Sequence, residues 1–217
     1  MKIRSSLEFE DYVASEYAWR RKELTNISNV ARGGRKGMQE TLFRTAIPII
    51  YAHWEGFVKY VSVAKMKYLI SQKFKYCDLH PCFHVYAILD ANEGQLPAKR
   101  FEAWVEITSG KINLAQPLSS SSISFIDAKS NLNSEVLREI SVKVGVDYKI
   151  FELKANWIDG TLIDFRNRIC HGERAPISEE EFDSLYSETT DLIDLYKNEI
   201  LNSVYRKTYL KETPIAT

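Results

Sequence analysis

The longest helical pattern in the chain, over residues 38–75, limits what kind of fold is available. Leu42, Ile47, Ile49, Ile50, Trp54, Phe57, Val58, Val61, Val63, Met66, Leu69 and Ile70 recur through it at helical spacing. These apolar positions wrap more than one face, so the helix needs neighbours on several sides and must run through the centre of the molecule. Pro48 sits inside this run and is expected either to kink the helix or to mark its start a few residues later.

The flanking segments supply those neighbours. Residues 9–30 place Phe9, Tyr12, Val13, Tyr17 and Leu24 on an apolar face opposite a charged one. Residues 31–37 then break the helix with three glycines and three cations. Asn133 is a good cap for a helix through Ser141. Residues 157–165 read as an amphipathic helix. Ser178 and Glu181 form a capping box. It opens a helix whose Phe182, Leu185, Leu192, Ile193, Leu195, Tyr196 and Ile200 make a buried stripe.

The middle, residues 77–133, is less regular and is punctuated by Pro81, Pro97, Pro117, Gly94 and Gly110. A short helix is expected over residues 82–91, a turn or mobile loop over 119–124, and a short strand or extended segment over 123–128. The tail after Tyr209 is expected to fray. The expectation is an all-α fold, a helical bundle in one domain over residues 1–217, with an irregular insertion at about 77–130 between the long helices.

Charge and cysteine usage narrow the setting. Twenty-nine basic and 29 acidic residues cancel, so no global basic field recruits nucleic acid and any polyanion site must be a local patch. Three cysteines, Cys77, Cys82 and Cys170, argue against a disulfide framework and for a reducing compartment. The first residues do not read as a signal peptide, and no stretch approaches the roughly 18 apolar residues a membrane span needs. A cytoplasmic protein without a membrane association is expected. Cys77, His80, Cys82 and His84 invite a zinc reading, but the cysteine spacing is too long for a zinc knuckle and no second ligand pair follows. No metal and no cofactor is expected.

The chemistry concentrates in residues 164–173, Asp-Phe-Arg-Asn-Arg-Ile-Cys-His-Gly-Glu. Arg166 lies five positions before His171, so the two side chains diverge by about 140° on an ideal helix at roughly 100° per residue. Asn167, one turn before His171, is placed to hydrogen-bond the imidazole, and Gly172 suits the residue just past the helix end. A permanent guanidinium beside a titrating imidazole suits an anionic substrate and proton transfer. The plain alternative is that Arg166, Asn167, His171 and Glu173 only cap and charge a helix terminus.

Other candidates divide in the same way. His53 and Glu55 sit two apart amid bulky apolar groups. They are either helix-packing residues or supports for the motif. Arg32, Arg35 and Lys36 belong either to a solvated connector or to a glycine-rich loop that contacts phosphate.

Residues 166–173 resemble the arginine, four-residue gap, histidine signature of HEPN domains, including the polar residue after the arginine. Residues 51–59, Tyr-Ala-His-Trp-Glu-Gly-Phe-Val-Lys, look like the central helix of the RiboL-PSP type of HEPN domain, and Trp19-Arg20 and residues 134–137 fit that subgroup. The resemblance covers most of the chain outside 77–130. It implies a dimerising helical bundle and a metal-independent endoribonuclease of toxin–antitoxin or phage-defence systems. Cleavage would proceed by 2′-hydroxyl attack, leaving a 2′,3′-cyclic phosphate and a 5′-hydroxyl. In that scheme His171 is the general acid/base, Arg166 the phosphate binder, Asn167 the orienting group, and a second copy completes the site. The implied partners are RNA, a second copy, and an antitoxin or other defence-system protein. The alternative is a non-catalytic HEPN module that binds RNA or a partner protein. A partnership with a nucleotidyltransferase antitoxin is disfavoured, because Glu173 stands where that group carries a tyrosine.

Overall fold

The computed structural model describes residues 2–91, 104, 105, 107, 109–129 and 131–211. Helix α1, Ser6–Arg32, starts where the Ser5 hydroxyl accepts from the Glu8 N–H at 3.1 Å and ends at Gly33. Helix α2, Gln39–Ser71, is 33 residues long and spans roughly 50 Å. Pro48 neither starts nor ends it: the helix is already formed at Gln39 and runs on past the proline, which removes one backbone donor.

Three long helices carry the core. Helix α1 packs along α2, and the last helix packs against both. Trp54, Phe57, Val58, Val61 and Met66 are fully closed to solvent. This is the burial on several sides that the wrapped apolar pattern demands.

The middle region is ordered by local polar contacts. Short 3₁₀ turns at Tyr76–Asp78 and Pro81–Phe83 lead into α3, His84–Ala91. The expected serine-rich loop and strand are instead a 3₁₀ helix, Ser120–Phe125, followed by irregular backbone. Its serines bond locally: Ser119 Oγ accepts from the Ser121 N–H, and Ser121 Oγ donates to Asp90 at 2.5 Å. Tyr76, Leu79, Phe83, Tyr86, Leu118 and Ile126 from this region join the common core. Gly94 and Pro97 lie outside the described residues.

Helix α4, Ser134–Val144, is capped by Asn133 as expected and ends at Gly145 in the left-handed region, φ +66°. A Cβ at Gly145 would meet the Phe83 ring at 3.1 Å. A 3₁₀ segment, Lys149–Lys154, and one α turn, Ala155–Trp157, follow. The expected amphipathic helix then contains a π-helical turn, Ile158–Ile163, before α5, Asp164–Cys170.

Helix α6, Glu179–Tyr205, opens with the expected capping box: Glu181 N–H donates to Ser178 Oγ at 3.2 Å and Ser178 N–H to Glu181 Oε2 at 2.8 Å. Its predicted stripe is buried except Leu195, which is partly exposed. The backbone is bonded through Lys211, and the rest of the tail expected to fray, 212–217, lies outside the described residues. His80 N–H donates to the Tyr209 carbonyl at 2.8 Å, and Lys211 N–H to that of Asp78 at 3.0 Å. Among the described residues there is no strand, only two isolated bridges, Lys75 with Pro117 and Leu79 with Leu210. The fold is all-α. No helix among them is long and apolar enough to cross a membrane.

Candidate active site

The site is built where α5 lies against the N-terminal half of α2. Ile158, Leu162 and Ile163 of the π turn are buried and anchor the segment, whereas α5 itself has no fully buried residue. Residues 44, 48, 51 and 55 of α2 follow i, i+4, i+7, i+11 spacing and so form one stripe. Arg44 Nη2 donates to the Glu173 carbonyl at 2.9 Å, and seven residues on, the Tyr51 ring lies 5.0 Å from the Arg166 guanidinium carbon. The two contacts set α2 and α5 antiparallel.

Arg166 is partly buried, and its Nη1 donates to Asn167 Oδ1 at 2.7 Å. That corrects the expected role of Asn167: its side chain serves the arginine rather than the imidazole. Only its backbone touches the histidine, accepting the His171 N–H at 2.9 Å.

His171 is the C-cap of α5 and is exposed. Gly172 adopts φ +78°, the left-handed conformation that glycine takes without penalty. Glu173 N–H reaches the Arg168 carbonyl at 2.8 Å and Gly172 N–H that of Ile169 at 3.1 Å. This pair of bonds is a Schellman turn. It fixes the backbone beneath His171 and leaves the imidazole in solvent. The single chain therefore turns Arg166 inward over Tyr51 and holds His171 outward.

The supporting candidates separate. Glu55 accepts the Tyr51 hydroxyl proton at 2.6 Å and so reaches the motif through Tyr51. His53 belongs to the α1–α2 contact. It is buried, its Nε2 is 3.5 Å from Glu23, and its ring meets Trp19 edge-on at 5.3 Å. Burial pulls its pKa down, with Glu23 opposing. Glu173 is exposed, with its carboxylate 3.6 Å from Arg168 Nε.

The glycine-rich loop also divides. Arg32 donates twice to Asp183 Oδ1, at 2.9 and 2.7 Å, and sits 5.5 Å from the Tyr186 ring, so it fastens α1 to α6. Arg35 and Lys36 are exposed. Among the described residues no three His, Cys, Asp or Glu side chains are grouped to hold a metal. Cys82 lies 3.2 Å from His80 Nδ1, and burial pushes its thiol up to about 11.

Two site residues escape a reading of the sequence alone, Tyr51 and Arg44. Tyr51 opens the 51–59 segment of the family resemblance without a role being attached to it, and the stripe at 44, 48, 51 and 55 acquires meaning once α5 is known to lie on it.

The family model described as RiboL-PSP-HEPN matches residues 15–202. No curated protein and no solved structure matches the chain.

Proposed function

This chain belongs to the RiboL-PSP-HEPN family, and from that premise we propose that it is a metal-independent endoribonuclease whose site is completed by a second copy of itself. Members of HEPN families generally cleave or bind RNA. The observation that carries the nuclease reading is the motif geometry: the Arg166 guanidinium is held over the Tyr51 ring, and the His171 imidazole stands exposed on the Schellman turn for a second copy to meet.

RNA carries its own nucleophile, so the protein has only to move protons and offset charge. An imidazole takes the proton of the ribose 2′-hydroxyl as the oxygen attacks the adjacent phosphorus. Arg166 faces the charge that develops on the non-bridging phosphate oxygens. A protonated imidazole, that of His171 from the second copy, gives its proton to the departing 5′-oxygen. The products are a 2′,3′-cyclic phosphate and a 5′-hydroxyl. In this reading the protein acts as a toxin or phage-defence effector, held in check by an antitoxin or another defence-system partner.

The test is cleavage of RNA in EDTA by wild type, Arg166→Ala and His171→Ala. Activity with cyclic phosphate ends, absent from both variants, is the expected result. Mixing the two inactive variants should restore a small part of the activity, because one hybrid site brings Arg166 and one His171 together but lacks the second imidazole. Full activity of His171→Ala would sink the assignment.

A second reading, a non-catalytic module that binds RNA or a partner protein, draws on one observation. Asn167 already takes one amine of Arg166. RNA that binds and survives would favour it.

A further inference from the structure

We propose that Tyr51 is the positioning residue for Arg166, a buried aromatic platform that sets where the guanidinium stands. The inference rests on the nuclease reading for its catalytic consequence, but not for its structural content.

Tyr51 is 2% exposed, and its ring lies 5.0 Å from the Arg166 guanidinium carbon. A guanidinium over the face of a phenol is attracted by the ring's quadrupole, more strongly where water is excluded. The buried ring is held by core packing, and its hydroxyl is engaged from several sides as well. Its hydroxyl donates to Glu55 Oε2 at 2.6 Å and accepts the Leu132 N–H at 2.5 Å, with Asn131 Oδ1 at 3.5 Å. Burial and the Glu55 hydrogen bond both push the phenol pKa far up, so the ring remains a neutral phenol across the working range.

The clamp joins three parts of the fold. Tyr51 and Glu55 belong to α2, Leu132 to the segment leading into α4, and Arg166 to α5. Asn167 meets the guanidinium from one amine, while the guanidinium carbon sits over the Tyr51 ring. Glu55 thereby acts on the arginine at one remove, through the hydroxyl that it accepts.

Ring and hydroxyl make separable contributions. Tyr51→Phe keeps the platform and loses the clamp; Tyr51→Leu loses both while still filling the core. The readout is the Arg166 side-chain resonances, assigned by their disappearance in Arg166→Lys, alongside RNA cleavage in EDTA well below the unfolding transition. In wild type the ring current should move those resonances upfield. Tyr51→Phe should keep that position and most of the cleavage. Tyr51→Leu should return the resonances toward a solvated arginine and lower kcat roughly tenfold, between the values for an exposed and a fully desolvated cation–π contact. Resonances unchanged in Tyr51→Leu would overturn the proposal, as would a Tyr51→Phe protein that behaves like Tyr51→Leu. A wild type that cleaves no RNA would remove the nuclease reading alone, since the resonances still decide the role of Tyr51.

Discussion

The Lys65 side-chain nitrogen lies 2.6 Å from the Ser203 hydroxyl in a position closed to solvent, with the Gly145 carbonyl at 3.2 Å as its other acceptor. Burial pulls its pKa from 10.5 to about 7, and the charge of Cys82 opposes only in part. The unfolded chain keeps this proton up to pH 10.5, whereas the folded chain loses it near 7. Between those values the unfolded state binds more protons, so stability rises with pH; it falls as pH drops through 7. Cys82, raised to about 11, acts in the opposite sense above its ordinary value of 9, which leaves pH 7–9 as the clean window. Urea midpoints should climb across that window in wild type. Lys65→Met should flatten the climb and stabilise the protein at pH 7 by roughly 1–3 kcal/mol. A flat wild-type profile would refute this account of Lys65.

His53 gives an acid-side counterpart. Its lowered pKa means that the unfolded chain takes up a proton near 6.5 before the folded chain does. Stability is present above 6.5 and is lost as pH falls through the folded value. His53→Gln should lose less stability than wild type between pH 7 and 5.5 in chemical denaturation. RNA cleavage at pH 7.5 should be unchanged, because His53 faces Glu23 and Trp19 of α1.

Arg32 should behave as a fastener between helices. Its pair with Asp183 is about half exposed, so Arg32→Ala should lower stability by only about 0.5–1 kcal/mol. The slope of RNA affinity against salt should not change, since a lost phosphate contact would reduce it by nearly one. A reduced slope would return Arg32 to the RNA-binding surface.

Gly172 tests the turn under His171. At φ +78° an alanine is strained by roughly 1–2 kcal/mol, while asparagine tolerates the conformation better. Gly172→Ala should therefore lose cleavage as the Schellman turn deforms, and Gly172→Asn should keep more of it. Equal activity in both variants and wild type would show that His171 does not depend on the turn.

These residues also show what could be read in advance. Local signals survive folding well: the Ser178–Glu181 box, the Asn133 cap and the Gly172 terminus act within four residues of themselves. The multi-sided apolar pattern of α2 likewise announces its burial, although Ile49 from that pattern is exposed. Contacts across the fold were not legible. Arg32 meets an acid 151 positions away, and nothing near it in the sequence announces Asp183. Asn167 had two possible neighbours within helical reach, and spacing alone favoured the wrong one. Tyr51 looks like any other aromatic core residue until the arginine above it is seen.

The π turn at Ile158–Ile163 has a consequence for how this motif can vary. Relative to a plain α-helix, a π turn carries one additional residue, which advances the phase of everything downstream by about 100°. The side of α5 that meets α2 is therefore fixed by arithmetic along the chain as well as by packing. Gly160 stands in that turn, with nothing within 4 Å of where a Cβ would sit. Excising Gly160 would turn Leu162, Ile163 and Arg166 together, so Arg166 leaves Tyr51 only as those two anchors leave the core.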